Sequence, residues 1–210
     1  MHDLVIYGAG GLGREVAAMV CRINRRHQFW NLLGCVDDGV QDKTEVDGCP
    51  LLGGMDFIRN FGRPLDVALT IAKPSVKRRI FTELKECPHV HLPAIIDETS
   101  LLPTDFSPGE GCIISPYCAI SSNVRIGSCV FFNTGTLIGH DAVLGDFCSL
   151  MCHVDVAGNV NVGEDTLIGD HACILQGLRV GARATVGMGS IVMTPVPDDC
   201  TVLGNPARRF

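Results

Sequence analysis

The chain has 210 residues, of which 46% are hydrophobic and 19% charged, a composition typical of one large or two modest globular domains. Its formal net charge of -6 argues against a general binder of nucleic acid or of anionic membranes. No apolar run approaches the length of a membrane span, and acidic Asp3 stands where a signal peptide would be basic, so we expect a cytoplasmic protein with no nucleic-acid or membrane partner.

Predicted strands and helices alternate along the first hundred residues. Hydrophobic runs predict strands at 2–8, 32–36 and 67–71, and apolar residues at helical spacing predict helices at 14–25 and 75–86. Strands that alternate with helices form parallel sheets. We therefore expect residues 1–98 to form a small, Rossmann-like parallel α/β domain.

A glycine-rich loop separates the first predicted strand from the first helix. Gly8, Gly10 and Gly13 satisfy the GxGxxG pattern, and Asp37 ends the second strand, which is the context of a loop that cradles phosphates. Fewer than a hundred residues hold about one mononucleotide-binding half of a dinucleotide fold, so a nucleotide or nucleotide-sugar is favoured over NAD. The alternative is a tight turn that binds nothing. The predicted substrate-binding residues are Gly8, Gly10, Gly11, Gly13, Asp37, Asp38 and Lys73.

A hexapeptide repeat occupies the second half of the chain. Fourteen positions spaced six residues apart, from Ile114 to Val192, carry only Ile, Leu, Val and a single Phe. This period fits neither a helix nor an alternating strand, but it suits a chain that makes a short strand, turns and repeats, so that inward residues stack between coils. We predict a parallel β-helix within residues 99–210, with the repeat running from Cys112 to about Met193.

His140 lies at a position where a side chain should point out of the coil near a corner. Steps of three hexads lead from it to Gly158 and then to Gln176, which should stack on it in coils about 4.8 Å apart. A neutral imidazole could take a proton from an attacking amine or hydroxyl, and Asp141 could fix its tautomer. The Gly158 N–H, with no side chain to obstruct it, could stabilise an oxyanion.

Several segments together resemble one family of enzymes. They are the opening GAGGLGRE, the VDD after the second strand, IGHDAVLGDF, AGNV and the terminal GNPAR, and they look like the sialic acid O-acetyltransferases and nucleotide-sugar N-acetyltransferases of the NeuD/PglD type. The resemblance covers nearly the whole chain. It implies a left-handed β-helix that forms a homotrimer, a first domain that holds the nucleotide-sugar, and acetyl-CoA in a cleft between neighbouring coils.

The resemblance also implies roles for individual residues. His140 corresponds to the general base, Asp141 to the acidic residue that orients it, and Gly158 to the glycine whose amide faces the thioester carbonyl. Asp141 stands where related enzymes often carry Glu, and Ser149 replaces a second histidine found in some members. The predicted catalytic residues are His140, Asp141 and Gly158, and the predicted cofactor-binding residues are Gly158, Gln176, His153 and His171.

The function implied is transfer of an acetyl group from acetyl-CoA to the amine of a nucleotide-linked amino-sugar by direct attack, in the biosynthesis of a surface glycan. O-acetylation of a free sugar such as sialic acid would use the same base and donor site, so it stays open. A β-helix scaffold without activity is an alternative from another class. It would have no need of the glycine loop or of the alignment between His140 and Gly158.

Metal chemistry is a further alternative. His153 and His171 are three hexads apart and should stack, which together with His140 is similar to the three zinc-binding histidines of β-helix carbonic anhydrases. Zinc catalysis requires three converging ligands, whereas His140 occupies a different phase of the hexad. We therefore expect no metal. Four arginines near the end of the coil either meet the phosphates of coenzyme A or face solvent: Arg179, Arg183, Arg208 and Arg209.

Overall fold

The computed structural model describes residues 1–40 and 44–210, which form two compact units. Residues 1–72 and 76–95 make up the first unit, and residues 73–75 and 96–210 make up the second. None of the helices in these described ranges is long and apolar enough to cross a lipid bilayer.

The first unit contains a four-stranded parallel sheet in the order β2-β1-β5-β6, which confirms the predicted α/β architecture. Its elements are β1 (His2–Tyr7), α1 (Gly11–His27), β2 (Trp30–Val36), β3 (Glu45–Val46), β4 (Cys49–Pro50), α2 (Met55–Arg59), β5 (Leu65–Leu69), α3 (Pro74–Lys85) and β6 (Val90–His91). Strand β1 is central, and its Leu4, Val5 and Ile6 are fully buried, as expected when helices cover both faces of a parallel sheet.

The hairpin β3–β4 and helix α2 did not appear among the predicted elements. Two-residue strands and a five-residue helix are too short to show a hydrophobic period. Helix α1 extends the predicted helix at both ends, since it begins inside the glycine loop at Gly11 and ends at His27.

Gly8 and Gly13 allow β1 and α1 to meet closely. Gly8 has φ +114°, a backbone conformation that side chains other than glycine rarely adopt. A Cβ atom on Gly13 would lie 1.8 Å from the carbonyl oxygen of Gly8. These two glycines are therefore required by packing, whatever the loop binds.

This packing gives a prediction about stability. We expect Gly13→Ala to destabilise the first unit by about 3 kcal/mol, because the new methyl group must displace backbone atoms, whereas Gly10→Ala should be tolerated since its Cβ would meet nothing within 4 Å. Urea unfolding followed by the fluorescence of Trp30, the single tryptophan of the chain, reports on this unit. Equal unfolding midpoints for the two variants would contradict the packing argument.

The second unit is a parallel β-helix, as the hexads predicted. Strands of mostly two residues stack into three sheets, and each pairs with the strand at the same place in the next coil, as Ile138 does with Ile120 and Val156. The strands are β7 (Ile95–Ile96), β8 (Ile113–Ile114), β9 (Ala119–Ile120), β10 (Arg125–Ile126), β11 (Phe131–Phe132), β12 (Leu137–Ile138), β13 (Val143–Leu144), β14 (Ser149–Leu150), β15 (Asp155–Val156), β16 (Asn161–Val162), β17 (Leu167–Ile168), β18 (Cys173–Ile174), β19 (Arg179–Val180), β20 (Thr185–Val186), β21 (Ile191–Val192), β22 (Thr201–Leu203) and β23 (Arg208–Arg209).

The fourteen apolar hexad positions form the core of this coil. All of them are buried except Ile126, which is partly exposed. One sheet continues beyond the predicted end of the repeat near Met193, because β22 pairs with β20, and β23 then folds back antiparallel.

Each corner of the coil contains a residue with positive φ, again at six-residue spacing. Asn, Asp and His are the non-glycine residues that enter this left-handed region most readily. Asp141, His153 and His171 occupy such corners, with φ of 60°, 55° and 56°. The turn geometry therefore determines where these polar side chains leave the coil.

Candidate active site

His140 and Asp141 form a hydrogen-bonded pair on the surface of the coil. Nδ1 of His140 lies 2.8 Å from Oδ2 of Asp141, and both side chains are about half exposed, at 52% and 45%. An ionised carboxylate only accepts hydrogen bonds, so Nδ1 of His140 donates in this pair, and in the neutral imidazole Nε2 keeps its lone pair. The pKa of Asp141 is lowered, first by the hydrogen bond from His140 and then by one from Asn123.

Asn123 is a member of this site that sequence reasoning missed. It occupies the corner one coil before Asp141, with φ 58°, and its Nδ2 donates to Oδ1 of Asp141 at 3.1 Å. Each oxygen of the Asp141 carboxylate therefore has its own donor. The signal was present in the sequence, since Asn123 precedes Asp141 by three hexads, the length of one coil.

Gly158 lies against the imidazole of His140. A Cβ atom on Gly158 would stand 2.6 Å from Nε2 and 2.8 Å from Cε1 of that ring, so only glycine fits beneath it. Among the described residues, the Gly158 N–H finds no hydrogen-bond acceptor. The structure thus brings His140, Asp141 and Gly158 together, with the Gly158 amide and the Nε2 edge of the imidazole at one place.

The predicted cofactor-binding residues other than Gly158 lie outside this cluster. They are Gln176, His153 and His171. Gly177 donates its N–H to the Gly158 carbonyl at 3.0 Å, so Gln176 is one coil beyond Gly158, and its side chain is exposed. The rings of His153 and His171 stack as predicted, with centroids 5.0 Å apart, at a different set of corners from Asp141. Within residues 1–40 and 44–210, no three His, Cys, Asp or Glu side chains are placed to hold one metal ion.

The carboxylate of Asp37 accepts a hydrogen bond from one amide of the glycine loop. The Ala9 N–H donates to Oδ2 of Asp37 at 2.8 Å, and Oδ1 of the same carboxylate accepts from the Gly39 N–H at 2.8 Å. Gly10 and Gly11 remain exposed, and a Cβ atom on Gly11 would meet only the Arg14 guanidinium, at 3.9 Å. A phosphate could therefore approach the loop over Gly10 and Gly11 but would not find the Ala9 amide free.

Asp38 connects strand β1 to helix α2 through hydrogen bonds. It accepts hydrogen bonds from the Tyr7 hydroxyl and, at 2.8 Å, from the Met55 N–H that begins helix α2. Burial alone would raise the pKa of Asp38, but these two hydrogen bonds and the positive charges of Arg79 and Arg59 together outweigh it, and the pKa is lowered. Burial and the bond to Asp38 raise the pKa of Tyr7.

A cavity of about 630 Å³ opens beside the two aspartates, at the carboxyl end of β2. Ligands of open α/β sheets bind at this end of the strands. Lys73, the remaining predicted substrate residue, is exposed and directly precedes α3. The residues that line the cavity include Asp37, Asp38, Gly54, Met55, Arg59 and Arg79.

Two of the four arginines considered for coenzyme A are engaged in ion pairs. Arg179 contacts Asp198 at 2.8 Å, and Arg183 donates two hydrogen bonds to Asp199 at 2.6 and 2.7 Å. Any phosphate bound there would compete with these carboxylates.

The two units define the class of this protein. The chain combines a parallel α/β unit with a hexapeptide-repeat β-helix. Residues 3–84 match the family model described as the PglD N-terminal domain.

Comparison with known proteins narrows the class to a family. A GDP-perosamine N-acetyltransferase of Escherichia coli O157:H7 is 31% identical over 212 residues, which cover 98% of this chain and 95% of that protein. PerB from Caulobacter crescentus, solved with CoA and GDP-perosamine, is 25% identical with a TM-score of 0.89 over 100% of this chain and 98% of that one. The acetyltransferase domain of PglB from Neisseria gonorrhoeae, solved with acetyl coenzyme A, shares the fold at 24% identity, with a TM-score of 0.89 over 100% and 99% of the two chains. The chain belongs to the NeuD/PglD-like acetyltransferase family, and its predicted left-handed β-helix is confirmed.

Proposed function

We propose that this protein transfers the acetyl group of acetyl-CoA to the amine of a nucleotide-linked amino-sugar, with GDP as the nucleotide. The observation that carries the proposal is the His140 ring, which is tied to Asp141 through Nδ1 and packed on Gly158. The relative from Escherichia coli O157:H7 is an enzyme of this activity and matches nearly the whole chain.

His140 acts as the general base in the proposed reaction. The acceptor amine attacks the thioester carbonyl of acetyl-CoA, and Nε2 of His140 takes the proton that the amine loses. Asp141 stabilises the imidazolium that forms, as an adjacent carboxylate does in other histidine bases. The new C–N bond forms, the C–S bond breaks, and the proton passes from His140 to the departing sulfur, so no covalent acyl-enzyme is needed.

Gly158 stabilises the negative charge of the tetrahedral adduct. Its N–H has no acceptor among the described residues, so it is available to donate to the carbonyl oxygen as that oxygen becomes an oxyanion. A side chain at this position would also push the imidazole away. Gln176, His153 and His171 are proposed to border the cofactor.

The first unit holds the nucleotide in this proposal. Phosphates approach the exposed amides of Gly10 and Gly11, and the cavity beside Asp37 and Asp38 receives the nucleoside. Both aspartates already accept hydrogen bonds within the chain, so they act chiefly by shaping this cavity. Lys73, which belongs to the second unit, stays a predicted substrate-binding residue.

We also propose a cytoplasmic homotrimer, as the resemblance implies. Exposed apolar side chains on the coil support association. Leu175 and Met193 lie one coil apart and are 51% and 53% exposed, and exposed apolar patches usually mark contact surfaces. Sedimentation equilibrium of the purified protein measures the mass directly. A monomeric mass at micromolar concentration would contradict the trimer.

An assay of released coenzyme A tests the function. Purified protein is given acetyl-CoA with GDP- or UDP-linked amino-sugars, and separately with free sialic acid. We expect turnover with a GDP-linked amino-sugar. Turnover only with sialic acid would establish O-acetylation instead, and the absence of both turnover and acetyl-CoA binding would favour a scaffold.

Asn123 provides a test of how Asp141 is held. We expect Asn123→Ala to lower kcat about 3- to 10-fold with little change in either KM, because one oxygen of the carboxylate loses its donor and the imidazole is oriented less firmly. The pKa of Asp141 should rise, since a donor to its ionised form is lost, and carboxyl NMR measures this shift.

Asn159→Ala is the matched control for Asn123→Ala. Asn159 occupies the corner one coil after Asp141, with φ 59°, on the opposite side from Asn123. We expect it to leave both kcat and the pKa of Asp141 unchanged. Similar effects of the two substitutions would show that Asn123 acts through the stability of the coil and not through Asp141.

A further inference from the structure

Two thiols of the first unit lie unusually close together. Sγ of Cys35 in β2 and Sγ of Cys49 in β4 are 2.8 Å apart. This separation is shorter than an ordinary contact between two sulfur atoms and lies between such a contact and the length of a disulfide bond, about 2.05 Å. Neither residue takes part in the proposed acetyl transfer.

The backbone around the pair explains this proximity. Gly34 has φ +154°, and a Cβ atom on it would lie 2.4 Å from the Pro50 carbonyl oxygen, so only glycine lets β4 approach β2 this closely. The Leu52 N–H then donates to the Cys35 carbonyl at 2.8 Å. The two thiols are therefore brought together by main-chain contacts, and joining them requires little movement of the hairpin.

The two cysteines differ in their access to solvent. Cys35 is 1% exposed, and burial, followed by the contact with Cys49, raises the pKa of its thiol to about 12. Cys49 is partly exposed and lines a cavity of about 480 Å³ together with Arg14, Cys21 and Gly48. A small oxidant entering this cavity meets Cys49 first, and Cys35 is positioned behind it as the resolving thiol.

We propose that Cys35 and Cys49 form a reversible disulfide that fastens the β3–β4 hairpin to β2. The oxidant is a low-molecular-weight disulfide of the glutathione class. The Cys49 thiolate attacks one of its sulfurs and expels one thiolate, and Cys35 then loses its proton, attacks the Cys49 sulfur and expels the second. Two protein thiols become one disulfide, and the two electrons reduce the oxidant to two thiols.

The disulfide would brace the unit that contains the glycine loop. The hairpin carries Asp47, which pairs with Arg14 in the first turn of α1, so the hairpin is tied to the helix that begins in that loop. A cross-link between residues 14 positions apart removes conformational freedom from the unfolded chain. Oxidation should therefore raise the thermal stability of the first unit, independently of whether the protein transfers acetyl groups.

Redox titration of the full chain tests this proposal. The protein is equilibrated with glutathione and glutathione disulfide at graded ratios, free thiols are blocked, and tryptic peptides are analysed by mass spectrometry without reduction. We expect peptides 27–43 and 44–59 to appear joined and lighter by two hydrogens. Unfolding followed by Trp30 fluorescence should shift upward by about 5 °C on oxidation and return after dithiothreitol.

Three single variants sharpen the test. Cys21→Ser removes the exposed thiol of the same cavity and should leave the joined peptides and the temperature shift intact. Cys49→Ser should abolish both, and Cys35→Ser should leave a stable glutathione adduct on Cys49. The proposal is overturned if the wild-type protein accumulates the Cys49 adduct without the joined peptides, if Cys49 joins Cys21 instead, or if both thiols stay reduced at the most oxidising ratio.

Discussion

Replacement of His140 by Ala is expected to lower kcat by roughly 10²- to 10⁴-fold, the usual contribution of a positioned general base. The substitution removes the nitrogen that receives the proton of the amine, and it leaves the coil intact because the side chain is half exposed. Steady-state release of coenzyme A measures the effect. Binding of acetyl-CoA, followed by calorimetry, should stay within a few-fold of the wild-type value.

His153→Ala is the matched control for this experiment. His153 is another exposed corner histidine of the same coil and is stacked on His171. Within residues 1–40 and 44–210, no carboxylate pairs with it as Asp141 does with His140. We expect this substitution to change KM for acetyl-CoA more than kcat, since His153 is proposed to border the cofactor. If His140→Ala retained wild-type turnover, or if both variants lost activity equally, the assignment of the base would be wrong.

Gly158→Ala is expected to lower kcat by about 10²-fold, although it adds only one methyl group. That methyl would stand 2.6 Å from Nε2 of His140, so the ring must leave its position over the amide, and a misplacement of about 1 Å costs an enzyme this much. The N–H itself is kept, so the loss reports on the imidazole. The unfolding temperature should change little, because the ring is half exposed and can swing away.

A double substitution distinguishes displacement of the His140 ring from a loss of activity that does not depend on that ring. In a His140→Ala background there is no ring to displace, so adding Gly158→Ala should cost little further activity, whereas independent effects would multiply. Full additivity of the two losses would contradict the contact between Gly158 and His140 as the cause.

The architecture of the second unit could be predicted because each repeat of the coil requires an apolar residue at the same buried position. Every six-residue segment must place one apolar side chain inside the coil. Ile138 and Val156, one coil apart, meet the same requirement, so the period is visible in a single sequence. The stacking of His153 on His171 followed from the same arithmetic. The glycine loop was visible because Gly8 and Gly13 meet a backbone requirement.

Other features depend on contacts between distant residues, which produce no periodic pattern in the sequence. The hairpin that carries Cys49 is too short to show a pattern, and its place against β2 depends on the missing side chain of Gly34. The hydrogen bond from the Ala9 N–H to Asp37 likewise depends on the folded loop. The sequence indicated a carboxylate near the glycines, but it did not indicate that this carboxylate accepts a hydrogen bond from a loop amide. Asn123 lies one coil before Asp141, but the hydrogen bond between their side chains depends on how both turn at their corners of the folded coil.

Product analysis with a GDP-linked amino-sugar tests the central claim most directly. Wild-type protein and His140→Ala are each incubated with acetyl-CoA carrying a labelled acetyl group, and the nucleotide-sugar is recovered and examined by mass spectrometry and NMR. We predict that the wild-type protein yields a nucleotide-sugar heavier by one acetyl group in amide linkage, and that the variant yields almost none. An unmodified amino-sugar with the wild-type protein, an ester in place of the amide, or equal yields from both proteins would contradict the account.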